Sequence, residues 1–521
     1  MKNNYVSPVR GAGILMSIGS LPSEYGIGTM GRAAYNFIDL LADLKMRYWQ
    51  ILPIGPLSYG NSPYQPISAF AGNNYLIDLD ELVKLGLLKT EEIREYDWGR
   101  DAEDIDYANM YRNRVRILKT AYERFDTGDA GYNRFIRDNT GWLDDYALFR
   151  AIKEANRDVS WTEWDKGLKN REKDALDRAR STLKDSIGFY SFCQYMFHMQ
   201  WDKLHAYAGG KGISIIGDVS LYVAHDSADV WSERENFQLN EDGSPKLVSA
   251  VPSDEFSPKG QIWGSPVYNW DVMDGNDFGW WRMRMKKACE MFDLVRLDHF
   301  IGAVKYYAVS PQSGRSDSGR WYKGPSRNFM DAISDVMADT TLIVDDAGPR
   351  TIVPGVKKLI DKWGLTCSRI LVFGWDKGSD NDNLIHNYEG NDIAVYTTTH
   401  DTRTLVGYIE DMAASGSRDT LNYMSRYMGI DISDELSAPN KVTHLSDETV
   451  RTLARQCIRV AYASTADIAI IPIQDVLELG NEARMNAPST VFGNWQWRVG
   501  THTLSESQRA FLIDMAFLYR R

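Results

Sequence analysis

The 521-residue sequence is sparing with cysteine: Cys193, Cys289, Cys367 and Cys457 stand far apart, with no C-x-x-C pair and no zinc-finger spacing. That fits buried thiols in a reducing compartment better than a disulfide frame, and no metal site is expected. No stretch of about 18 apolar residues occurs, so no membrane span is expected either. The apolar run in MKNNYVSPVRGAGILMSIGS is too short for a signal peptide, and the expected location is cytoplasmic. Long basic runs are missing as well. With 71 acids against 59 bases and a net charge of -12, neither nucleic acid nor an anionic membrane is an expected partner. There is no P-loop, internal repeat, low-complexity tract or Gly/Ser linker.

What is present is ordinary in bulk and specific in detail. Hydrophobic residues make up 43% and charged residues 25%, as in globular proteins generally, whereas aromatics reach 12% with 16 Trp. Flat aromatic faces suit sugar rings as well as cores. Eight short apolar runs read as strands: Gly11 to Met16, Arg47 to Leu52, Ile213 to Asp218, Asp293 to Asp298, Leu342 to Asp345, Arg369 to Phe373, Ile393 to Thr397 and Ile468 to Pro472. Amphipathic helical patterns separate most of them, for example GRAAYNFIDLLADL and ETVRTLARQCIRVAYAS. Eight alternating units predict an α/β fold, a closed parallel (β/α)8 TIM barrel over residues 1–521, with an open doubly wound sheet as the other solution.

The spacing of the runs is uneven. About 160 residues separate the second from the third, far more than one crossover helix needs. Residues 79–186 within that gap are charged and poor in Gly, and read as an inserted helical subdomain. Residues 219–277, between the third and fourth runs, are rich in Pro, Gly, Ser and Trp and read as a long substrate-binding loop above one face of the barrel.

The chemistry collects at strand ends. In FDLVRLDHF, Arg296 and Asp298 fall on one face of the fourth run, which sets a guanidinium beside a carboxylate and predicts that Asp298 stays ionised at neutral pH. A structural ion pair is the plain alternative for that pattern alone. The fifth run, TTLIVDDAGPR, ends on Asp345 and Asp346; the seventh ends on His400 and Asp401; the third ends on Asp218. In a closed barrel these ends converge on one mouth. Converging carboxylates without His/Cys ligand spacing suit glycosidic bond chemistry, which needs an ionised nucleophile, a protonated acid and hydrogen bonds to sugar hydroxyls. A Mg-dependent phosphoryl enzyme also uses acids, but no basic cluster for phosphates accompanies these.

The blocks IGPLSYGNSPYQPISAFAGNNYLIDLDEL, GDVSLYVAHDSADVW, FSPKGQIWGSPVYNW, VRLDHFIGA, GRWYKGP, YTTTHD and QDVLELGNEARMNAPSTVFGNWQWR occur in order from about residue 11 to Val499. Together they resemble the 4-α-glucanotransferases, also called amylomaltases or disproportionating enzymes, of glycoside hydrolase family 77. The resemblance implies Asp298 as nucleophile with Arg296 beside it, and Asp401 as a third carboxylate that grips hydroxyls of the donor sugar, assisted by His400 and His299. It further implies Asp218 as a donor-site contact, and Tyr59, Ser62, Tyr64, Trp263 and Asn486 in the glucan groove with Gln65 in the same motif. The implied partners are an α-1,4-glucan donor and acceptor, the chain acting as a monomer or homodimer. Neither cofactor nor metal is implied.

The sequence departs from the family at telling places. Where the family's fifth strand typically ends Glu-Asp-Leu-Gly, this chain has Asp345, Asp346, Ala347 and Gly348, so the acid/base position carries a side chain one methylene shorter. Glu255 stands where a groove-lining Tyr is common, TTTHDTR replaces Gly-Thr-His-Asp-Asn-Asp, and residues 353–380 match poorly. A retaining pair needs its carboxyls roughly 5 Å apart, and withdrawal of one by over about 1 Å can cost roughly a hundredfold in rate. An α-glucan hydrolase, an idle glucan-binding homologue and an engineered, slowed variant are therefore the alternatives to transfer.

Overall fold

The computed structural model describes residues 5–58, 60–254, 257, 259–337, 339–345, 353–375, 378–437, 445–490 and 492–521. Its twelve strands are β1 (Gly11–Leu15), β2 (Tyr48–Gln50), β3 (Ser214–Val219), β4 (Val248–Val251), β5 (Gln261–Pro266), β6 (Leu294–Leu297), β7 (Lys305–Val309), β8 (Arg320–Lys323), β9 (Thr341–Val344), β10 (Thr366–Ile370), β11 (Ile393–Tyr396) and β12 (Ile468–Pro472). Eight of them close into a barrel in the order β1-β12-β11-β10-β9-β6-β3-β2. Every neighbouring pair in it is parallel. The expected (β/α)8 barrel is therefore the fold, and the open sheet is not.

The reason is visible in burial. β1, β6, β9, β11 and β12 are buried at every position, as strands covered by side chains within and helices outside must be. At the closure β1 crowds its neighbour: a Cβ on Gly13 would lie 2.4 Å from the carbonyl oxygen of Tyr48, so only glycine fits there. One expected strand is displaced. The sixth run was placed at 369–373, but the strand is Thr366–Ile370, and Leu371–Phe373 form a 3-10 turn. Pairing decides it, because Thr366 and Cys367 bond β9 while Cys367 to Ile370 bond β11.

Between β2 and β3 the chain is helical, with seven helices from Leu79–Lys84 to Lys173–Thr182. A further helix, Lys184–Gly210, runs back to β3, so residue 186 falls inside a continuous helix. The segment read as a long loop, 219–277, contains β4 and β5. With β7 and β8 they form a separate antiparallel sheet, β5-β4-β7-β8. No helix among the described residues is long and apolar enough to cross a membrane.

Candidate active site at the carboxyl end of the barrel

Strands β3, β6 and β9 are adjacent in the barrel, and each carries an acid at or beyond its carboxyl end. Arg296 pairs with Asp218 across β3 and β6 and points inward, buried to 5% exposure. Its guanidinium gathers all three acids. Nη1 donates to Asp218 Oδ2 at 2.6 Å, and Nη2 donates both to Asp298 Oδ1 at 3.1 Å and to Asp345 Oδ2. Two oxygens bound to one nitrogen lie within about 6 Å of each other, the sum of two hydrogen bonds. That matches a retaining carboxyl pair and is short of the roughly 6.5–9.5 Å of an inverting one.

Charge balance in this cluster bears on the expectation for Asp298. One guanidinium contacts three carboxylates, with His400 a more distant cationic neighbour of Asp218 and Asp298. Burial pushes Asp298 up to about 7; Arg296 opposes that rise, and Asp218 and Asp345 reinforce it. Burial also raises Asp218, against the pull of Arg296. The expectation weighed Arg296 alone; burial and the two neighbouring acids work against it and push the carboxyl up, and the titration belongs to the coupled group rather than to Asp298 by itself.

Backbone pairing fixes the same acids. Asp298 N donates to Val219 O, Asp345 N to Leu297 O, and Phe300 N to Asp345 O. His299 follows Asp298 in the left-handed region at φ 50, a strained conformation of the kind that recurs at functional sites. Its ring meets the edge of Trp263 at 4.7 Å. Burial drags His299 down to about 4, with Asp345 opposing, so it is neutral at pH 7.

Across the mouth, Asp401 sits in a different setting. Asn486 Nδ2 donates to its Oδ1 at 2.6 Å, His400 Nε2 lies 3.4 Å from its Oδ2, and Arg484 donates to its carbonyl at 2.9 Å. Burial works against ionisation of Asp401, but the contacts to His400 and Asn486 outweigh it and hold the carboxyl below its usual value. His400 is raised in turn: burial lowers it and Asp401 more than offsets that. Tyr64 stacks on the His400 ring at 4.9 Å and donates its hydroxyl to Asp218 Oδ2 at 2.8 Å, tying the two stations together.

The groove residues take definite places. Ser62 accepts from Tyr64 N at 3.3 Å, within the turn that presents Tyr64, and Gln65 donates to the carbonyl of Trp263, tying that turn to β5. Tyr59, Glu255 and Asp346 to Gly348 lie outside the described residues. Three participants were missed. Arg484 and Trp495, which packs against both Tyr64 and His400, lie in quoted motifs and were passed over. Tyr396, which donates to buried Gln50 at 2.8 Å beneath the cluster, carries no signal beyond an apolar strand.

Fold and mouth together define a (β/α)8-barrel protein with an acidic, arginine-centred site at the carboxyl ends of its strands. The family model described as 4-alpha-glucanotransferase, glycoside hydrolase family 77, matches residues 16–503. A 4-alpha-glucanotransferase of Thermus thermophilus is 39% identical over 97% of this chain and 98% of its own length. One from Streptococcus pneumoniae is 37% identical over 98% and 97% respectively. The amylomaltase of Streptococcus agalactiae, solved in complex with acarbose, superposes with a TM-score of 0.90 at 34% identity, covering 98% of this chain and 99% of the other. The chain belongs to the 4-alpha-glucanotransferase family.

Proposed function

We propose that the protein transfers α-1,4-glucan segments between maltooligosaccharides by a retaining double displacement. In this reading Asp298 attacks the anomeric carbon, and Asp345 protonates the departing oxygen. The 4-hydroxyl of a second glucan then resolves the covalent glycosyl-enzyme, with Asp345 as base. Asp401, with His400 and Asn486, grips the donor sugar's hydroxyls. Tyr64, Ser62, Gln65, Trp263 and Tyr59 belong to the groove, and Asp218 with His299 completes the donor side.

The observation that carries the reading is the bridge from one nitrogen of Arg296 to both Asp298 and Asp345. A sugar entering between them breaks the Arg296 contact to Asp345. Asp345, freed from the guanidinium, carries the proton it delivers, and Asp298 attacks as the carboxylate paired with Arg296, which divides the two roles. Each cycle breaks and makes one glycosidic bond. Acceptor glucan must outcompete water in the groove for that to hold. The proposed setting is the cytoplasm.

Incubation with maltotriose tests the proposal. Glucose and a ladder of longer maltooligosaccharides at constant total reducing ends are expected. Rising reducing ends would mean hydrolysis, and binding without products would mean an idle homologue.

A further inference from the structure

Cys367 on β10 pairs with Val344 on β9, so Ser368 is level with Asp345 on the neighbouring strand. Alternation along β10 turns Ser368 inward, where it is 1% exposed. Its Oγ has no hydrogen-bond partner among the described residues. Native interiors satisfy such hydroxyls with protein or with water. The small cavity that Ser368 lines is bounded by Asp345, Arg296, Gln50, Tyr396 and His400 together with apolar Leu15 and Ile370. A buried water is held where a pocket offers it two to four polar partners, and these side chains offer that many. The Arg296 contact engages Oδ2 of Asp345, and in the proposed mechanism it breaks when substrate enters.

We propose that Ser368 is a positioning residue for Asp345: its hydroxyl, through one water in this cavity, hydrogen-bonds the carboxyl and aims it at the glycosidic oxygen. The inference rests on the reading of Asp345 as acid/base. A short acid gives orientation more weight. An aspartate has one torsion fewer than glutamate with which to find the leaving oxygen, so a fixed partner at its base replaces reach with direction. The water is a hydrogen-bond bridge only, and the proton delivered to the leaving group comes from Asp345.

Two substrates separate this role from a structural one. Maltotriose needs a protonated leaving group, whereas the fluoride of α-maltosyl fluoride departs without one. Ser368→Ala is expected to lower kcat on maltotriose about tenfold with KM within about twofold, and to move the alkaline limb of the pH profile. First-turnover fluoride release should stay at the wild-type rate. Ser368→Thr, which keeps the hydroxyl, should restore the maltotriose rate to within about threefold. Equal losses on both substrates, or a Ser368→Ala variant indistinguishable from wild type, would overturn the inference alone. Wild-type protein that leaves maltotriose untouched would overturn the transferase reading and this inference together.

Discussion

The two carboxylate stations at the mouth differ in how their charge is met. On the β3, β6 and β9 side, one guanidinium serves Asp218, Asp298 and Asp345, and burial pushes Asp298 up toward neutrality. On the β11 side, Asp401 has an imidazole and a side-chain amide in direct contact, and they hold its carboxyl below the usual value, although His400 also acts on Asp218 and Asp298 at longer range. An under-compensated cluster changes protonation when a ligand arrives; a fully partnered carboxylate does not. The first station has the character of chemistry and the second that of a grip.

Amide substitutions should break that contrast most strongly. Asp298→Asn removes the nucleophile, and transfer from maltotriose should fall on the order of 10⁴-fold or more. Asp401→Asn keeps the shape but loses the charge, and should lower kcat/KM by about 10²- to 10³-fold. Steady-state kinetics decides the order: equal losses would mean the two stations are not functionally distinct. Asp401→Asn should also leave the acid and alkaline limbs of the pH profile near their wild-type positions, because the titrating cluster is on the other side.

The barrel strands were legible because buried parallel strands must be apolar throughout, and seven of eight runs fell where pairing put them. β10 was not, since Ser368 and Arg369 interrupt its apolar pattern and only its neighbours define its start. The sheet of β4, β5, β7 and β8 was missed because its strands are short and set among Gly, Pro and Ser, which reads as loop. Within the site, strand ends named the acids correctly as neighbours of one mouth. The upward push on Asp298 was not foreseen because Arg296 and Asp298 were weighed as a pair. Register and barrel closure bring Asp218 and Asp345 to the same guanidinium, and no linear pattern displays that stoichiometry.

A gain of function sharpens the comparison next. Asp345→Glu restores the methylene, and its carboxyl should reach the leaving oxygen with less dependence on its base. The expected result is a rise in kcat of roughly ten- to a hundredfold, with KM for maltotriose little changed. A rate unchanged or lowered would show that this pocket has adapted to the shorter acid, and would remove the account of Asp345 as a slowed acid/base.

The smallest effect is on stability, and its sign follows from linkage. Asp298 is raised to about 7 in the folded protein, against about 3.9 for an unfolded aspartate. Between those values the folded state binds the extra proton, so the contribution of Asp298 to stability falls as pH rises from about 4 to about 7 and then levels. Asp298→Asn removes the buried ionisation. It should stabilise the protein at pH 8 by on the order of 1–2 kcal/mol, discounted for the 26% of the Asp298 side chain that remains exposed. The gain should vanish below about pH 4, where the wild-type carboxyl is protonated in both states. Urea unfolding at several pH values reads it directly. The same substitution at Asp401, a carboxylate held below its usual value, should destabilise above about pH 4 instead, and like signs at both positions would erase the distinction between the stations.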